Sequence, residues 1–278
     1  MPSQFLARIE HPSVAPATRR SSWAVMRSVV FALSLRELKT RLDGRWGGAV
    51  WVIGEPLLNT LAMLALYSAM RAQTIGGVDT LLFLVSGQMP FLLFRSLALR
   101  LMEAIDSNLG LFAYRQVQPI DAVIARGVVE VLVFSVVMGA CMAALGWAGH
   151  PVVPKMPLEL FASIALLIVL GSALGLLLAV GTAPPLNRLR GLVAMLFLPV
   201  YVTSGALMPL GSLPIALRGY FLYNPIAHLL ELLRSALIGP TYQASPQVGW
   251  SLPMLWALCL MLAALGLYRA RRYRLQMG

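Results

Sequence analysis

Apolar and polar positions along the chain follow two patterns. Between residues 31 and 42 the large apolar residues Phe31, Leu35, Leu38 and Leu42 recur at spacings of four, three and four. That is one stripe of a helix, with Arg36, Glu37, Thr40 and Arg41 on its other side. A helix of this kind is suited to lying flat in a membrane interface, its basic face toward headgroups. Gly44, Gly47 and Gly48 then read as a break. From Ala49 to Met70 the chain is almost wholly apolar, and further runs of about 20 residues, enough to cross a bilayer, follow. The runs are 49–70, 80–99, 127–148, 160–182, 191–210 and 252–269. The pattern predicts an all-α polytopic membrane protein with six transmembrane helices behind an N-terminal amphipathic interface helix. Its parts are a tail at 1–22, the interface helix at 23–45, the six-span domain at 46–270 and a second tail at 271–278. Residues 1–22 are polar and contain proline, so no cleavable signal is expected there.

Composition agrees: 59% of the 278 residues are hydrophobic and 12% are charged, against about 25% charged in soluble domains. A net charge of +11 would suggest nucleic acid in a soluble chain. Here the basic residues flank the apolar runs, so they mark topology and no nucleic-acid partner is expected. One side of the membrane collects seventeen Lys and Arg, the other four, which puts both termini in the cytoplasm. Cys141 and Cys259 lie inside apolar runs and read as core residues rather than a disulfide or metal pair.

No nucleotide loop is present, since neither Lys39 nor Lys155 follows a GxxxxG pattern. HExxH, CxxC and GxSxG are also missing. The chain is therefore expected to be a transport subunit with no cofactor of its own rather than an enzyme. Three ionisable residues, Glu55, Arg95 and Glu130, fall within spans, where charge is expensive and marks pairing or function. The spacing favours an ion pair of Arg95 with Glu130 or Glu55 over a direct substrate role. Trp51, Tyr67 and Tyr201 are aromatic faces within spans, and Arg95 is a cation among them. The fifth run carries Pro199, Thr203, Ser204, Gly205 and Pro209, which predicts a helix broken there, or one that re-enters, rather than a straight rod. The external segment after it supplies Arg218, Tyr220, Tyr223, His228 and Arg234. Within it Asn224 and Pro225 cap a helix to about Leu237, where Glu231 and Arg234 can pair.

Six spans, cytoplasmic termini and a basic amphipathic first helix resemble the membrane subunits of ABC-2 type exporters. The block from Leu35 to Arg41, then Gly47 to Trp51 and Glu55-Pro56-Leu57-Leu58, resembles capsular polysaccharide export permeases of the KpsM/CtrC/BexB group. So do the turn from Arg115 to Asp121 and the segment from Asn224 to His228 with Arg234 after it. The resemblance implies the ABC-2 (type V) exporter fold, a homodimer, and two copies of an ATP-binding subunit that hold ATP and Mg. It implies a lipid-linked acidic polysaccharide as substrate, a bacterial inner membrane, and a periplasmic co-polymerase and outer-membrane export channel as partners. It also implies that 100–126 is a cytoplasmic coupling segment and 205–240 an external gate. Candidates for coupling are Arg36, Glu37, Lys39, Arg41, Arg115, Gln116 and Asp121. Candidates for the substrate path are Trp51, Tyr67, Arg95, Tyr201, Thr203, Ser204, Arg218, Tyr220 and Tyr223. Related permeases move O-antigen, teichoic acid or small molecules, and an intramembrane transferase is the alternative of a different class.

Overall fold

A computed structural model describes residues 21–42, 47–69, 74–75, 77–114, 116–242 and 244–277. The side chains of Trp51 and Glu55, and all of Arg115, lie outside the described residues. Nine α-helices occur among the described residues: α1 Ser22–Leu42, α2 Gly47–Ala69, α3 Thr80–Met102, α4 Pro119–Trp147, α5 Pro157–Gly181, α6 Arg190–Thr203, α7 Ile215–Phe221, α8 Pro225–Ile238 and α9 Ser251–Met277. A two-stranded hairpin, β1 Thr74–Ile75 with β2 Val78–Asp79, precedes α3. Among the described residues, five stretches are long and apolar enough to cross a membrane: Thr80–Met102, Pro119–Trp147, Pro157–Gly181, Leu186–Thr203 and Ser251–Leu275.

Helix α3 is the core of the molecule. Most of its length is buried, packed against α2, α4, α5 and α8. Asp79 caps it, accepting from the backbone N–H groups of Leu81 and Leu82 at 3.0 and 3.2 Å. Its closest neighbour is α5, and glycine explains the closeness. A Cβ on Gly175 would lie 2.7 Å from the Leu97 carbonyl oxygen, and one on Gly171 would lie 3.1 Å from Leu97 Cβ. The spacing Gly171-x-x-x-Gly175 puts both on one face, where small residues let helix backbones approach in a membrane.

Several boundaries differ from the sequence expectation. Helix α1 ends at Leu42 and α2 opens at Gly47, so Gly47 and Gly48 of the expected break form the first turn of α2, and Gly44 lies outside the described residues. Helix α4 starts at Pro119, eight residues before the expected span, because Asp121 accepts from the Gln118 N–H at 2.9 Å and caps the added turns. Helix α9 runs unbroken to Met277, through the expected tail. The fifth run is not one rod: α6 stops at Thr203, and Gly205 turns the chain with φ +72°. The helix expected from Pro225 in the segment after it forms as α8, and it is buried from Ile226 to Leu230 against α3, α5 and α9.

Candidate functional site

Three places gather the polar side chains. The first is an elbow between α3 and α4, where a short 3-10 helix, Asp106–Leu111, turns the chain. Helix α1 packs on α4 beside it. Glu37 accepts from Arg126 at 3.1 Å and from Arg41 at 3.3 Å. Glu130 accepts from Arg41 and forms an ion pair with Arg100, whose Nε stands 3.3 Å away. Arg126 also donates to the Arg100 carbonyl and to Ser107 Oγ, and Arg36 donates to Asn108 Oδ1 at 3.3 Å. On the far side Arg190, at the start of α6, pairs with Asp106 at 2.7 Å and donates to the backbone and hydroxyl of Thr182. The elbow thereby ties α1, α4 and α6 to the Met102 end of α3. Leu109, Tyr114 and Gln116 remain exposed on its outer surface.

The second place is the break after α6. Its backbone carbonyls have no helix to continue into, and a buried guanidinium takes them. Arg234 donates to Gly205 O at 2.7 Å, to Ala206 O at 3.0 Å and, at 3.5 Å, to Phe83 O. It also lies over the Phe83 ring at 3.8 Å. Glu231 stands 4.0 Å from Arg234 and accepts from the Leu210 N–H and from the Tyr242 hydroxyl at 2.6 Å. Burial holds the Tyr242 phenol well above its ordinary range, so it remains a donor. Gly87 makes the room: a Cβ there would fall 1.8 Å from Arg234 Nη2. His228 is equally occupied, its Nδ1 accepting from Gly249 N–H while Nε2 meets Leu222 O at 2.9 Å.

The third is a cleft of about 330 Å³ between α2, α3 and α6. Asn59, Arg95 and Tyr201 supply its polar groups, and Phe91, Met195 and Phe197 are among its apolar walls. Tyr201 packs on Phe91, ring centres 4.7 Å apart. Gln88, fully buried on α3, donates to Asn59 Oδ1 at 2.5 Å.

The expected candidates divide accordingly. Arg95 and Tyr201 do meet, in the cleft. Arg95 does not pair with Glu130, because Arg41 and Arg100 already hold that carboxylate; the other expected partner, Glu55, lies outside the described side chains. Thr203 and Ser204 donate back to the carbonyls of Pro199 and Tyr201, at 2.9 and 2.7 Å, which leaves them helix-end caps rather than hydroxyls turned to a path. Tyr67 donates to Leu207 O. Arg218 donates to Gly211 O and Leu213 O within its own loop. Tyr220 and Tyr223 are exposed, 72% and 75%. Of the coupling candidates, Glu37 and Arg41 are engaged in the ion pairs of the elbow and Asp121 in a cap, whereas Lys39 and Gln116 lie on the exposed surface. Sequence reasoning missed Asn59, Gln88, Arg100, Arg126 and the Asp106–Arg190 pair. Of these only Arg100 and Arg126 left a signal, as basic residues bracketing the turn.

The family model for the ABC-2 type transporter matches residues 28–238. The polysialic acid transport protein KpsM of Escherichia coli is 34% identical over 253 residues, covering 91% of this chain and 96% of the relative. The capsule polysaccharide export inner-membrane protein CtrC of Neisseria meningitidis serogroup B is 27% identical over 226 residues, 78% of this chain and 82% of the relative. BexB of Haemophilus influenzae, with the same description, is 26% identical over 246 residues, 88% and 92% of the two chains.

Proposed function

We propose a division of labour along this chain from the premise that it belongs to the ABC-2 type transporter family. It is the permease subunit of an ABC exporter of capsular polysaccharide, a multi-pass protein of the inner membrane. The observation that carries this is the 34% identity to KpsM across 91% of the chain.

The finer assignments are our reading. Helix α2 is the sixth span: 23 residues long, with an apolar stretch at Leu57–Tyr67. Helix α1 lies in the inner interface, as its Phe31 and Leu35 stay exposed beside Val128 and Leu132 of α4, and Leu42 at its end is exposed too. Two copies of the chain form the path, and each meets one ATP-binding subunit through the elbow, where Leu109, Tyr114 and Gln116 face outward. Both termini are cytoplasmic, and 205–240 closes the outer end. An acidic, lipid-linked polysaccharide leaves toward a periplasmic co-polymerase and an outer-membrane channel. ATP and Mg stay with the partner subunit.

The test is a deletion of this chain's gene in its own host, complemented by wild type and by Tyr114→Asp. Wild type restores surface polysaccharide. Tyr114→Asp inserts normally but no longer co-purifies with the ATPase subunit. Unchanged surface polysaccharide in the deletion strain would remove the proposed function.

A further inference from the structure

We infer that the groove between α4, α5 and α9 seats an acyl chain of one membrane phospholipid, and that Arg272 at its mouth binds the lipid's phosphate. The inference goes beyond the export reading and draws on it only for the setting in a membrane.

The groove follows from how the helices pack. Gly171 and Gly175 draw α5 onto α3, while α4 packs on α3 and α1 and touches α5 and α9 little. A gap of about 600 Å³ is left between them. Gly127 and Ser172 are small, and Leu101 of α3 is reached beneath them. Among the described residues that line the gap, only Ser172 has a polar side chain. Along α4 the lining runs from Ile120 to Leu132, about 18 Å at 1.5 Å per residue. That is close to one leaflet's share of the hydrocarbon, about 15 Å of roughly 30 Å. Spread over this length the gap averages about 6 Å across, thinner than a helix with its side chains, about 10–12 Å. One extended hydrocarbon chain fits where a helix does not.

Positive charge stands at one end. Helix α9 carries Arg269, Arg271, Arg272 and Arg274 toward its end and no carboxylate along its length. These arginines do not all face one way. Arg271 donates to Val180 O at 3.2 Å and ties α9 to α5. Arg272 falls on the stripe of Met261 and Leu265, which puts it on the groove side. Arg274 is exposed on the opposite side of the helix. Tyr268, buried one turn before Arg272, meets the backbone of Ile120 and sets the level at which the groove ends. Arg272 stands about 6 Å beyond that level. The polar headgroup region is itself about 5–7 Å deep on each side of a bilayer. A chain lying in the groove therefore carries its phosphate to the height of Arg272. That side chain is exposed and steadied by Tyr273, whose ring centre lies 4.6 Å from the guanidinium carbon and whose hydroxyl accepts at 2.6 Å. A guanidinium has five N–H groups in a planar fork suited to phosphate, and this bond uses one of them. Asp121, which also acts on Tyr268, is buried and caps α4. Basic pockets between membrane helices at a headgroup surface select anionic lipids.

The complex with its ATPase subunit is stripped of lipid in detergent. It is then titrated with phosphatidic acid or with phosphatidylcholine of the same chains, and bound lipid is counted by native mass spectrometry. Wild type should hold one phosphatidic acid per copy of this chain at least tenfold more tightly than phosphatidylcholine. Arg272→Gln should remove that preference, Arg272→Lys should keep part of it, and Arg274→Gln should leave it unchanged. Gly127→Leu, which fills the groove, should weaken both lipids at least tenfold. Equal losses for Arg272→Gln and Arg274→Gln would mean diffuse attraction to a basic helix end and would overturn the inference. So would a wild type without preference, or wild-type affinity in Gly127→Leu.

A second measurement leaves the groove unaltered. Phosphatidic acid with a diazirine midway along one chain should crosslink to Val128, Val131, Met261 or Leu265. Crosslinks confined to other surfaces would overturn the inference. In a Cys141→Ala, Cys259→Ala background, Leu265→Cys should form no disulfide between copies. A covalent dimer through that position would seat a second copy in the groove and overturn the lipid assignment.

Discussion

Arg234 shows what a single residue does here. It is fully buried, and its guanidinium serves three carbonyls, one of α3 and two of the turn after α6. A lysine presents a point charge without the fork and cannot reach all three at once. Removing the guanidinium strands Glu231 and two carbonyls of the break, and breaking a buried charged pair costs about 3–5 kcal/mol. Arg234→Met should therefore lose most of its monodisperse peak in size-exclusion chromatography from detergent, with Arg234→Lys only partly better. Gly87→Ala should resemble it, since the new methyl occupies the Nη2 position. The two are coupled: in an Arg234→Met background, Gly87→Ala should cost little more. Additive losses would show that Gly87 matters for another reason.

At the scale of elements the tightest joint is α3 on α5. Overpacking such a joint costs typically about 1–3 kcal/mol. Gly175→Ala should accordingly lower the thermal unfolding midpoint in detergent, because its Cβ would press on the Leu97 backbone carbonyl and Leu101 Cβ, which cannot swing aside. Gly139→Ala on α4, with open space around it, should leave the midpoint unchanged or raise it slightly. Equal effects at the two positions would mean that α3 and α5 can slide apart. The apolar runs, the Asn224 cap and the break at Thr203 were legible in the sequence. These are local signals of period and turn chemistry. Charge partners were not legible. Arg95 and Glu130 look matched along the chain, yet Arg41 reaches Glu130 from a helix 89 residues earlier, a juxtaposition set by how α1 packs on α4. The burial of α8 was hidden for a similar reason. Its polar residues read as surface until Arg234, Glu231 and His228 are seen to bond within the fold.

Across the whole molecule, helix α6 connects the elbow to the cleft and the break. Arg190 at its start is held by Asp106 of the elbow, Tyr201 lies eleven residues later in the cleft, and the helix ends at Thr203. At 1.5 Å per residue the two ends are about 20 Å apart. A shift of the elbow would pass along α6 through the 2.7 Å Asp106–Arg190 pair. That pair is about one-fifth exposed on each side, so its own contribution to stability is small, about 1 kcal/mol or less. Arg190 keeps its bonds to Thr182 when Asp106 is neutralised. The expected result for Asp106→Asn is therefore a split. Folded yield, and ATP hydrolysis by the complex with its ATPase subunit, should stay within about twofold of wild type. Polysaccharide reaching the cell surface should fall at least tenfold. Asp106→Glu, which keeps the charge, should recover part of the export. Wild-type export by Asp106→Asn would show that α6 does not carry the motion, and a parallel loss of ATP hydrolysis would place the residue in the partner interface instead.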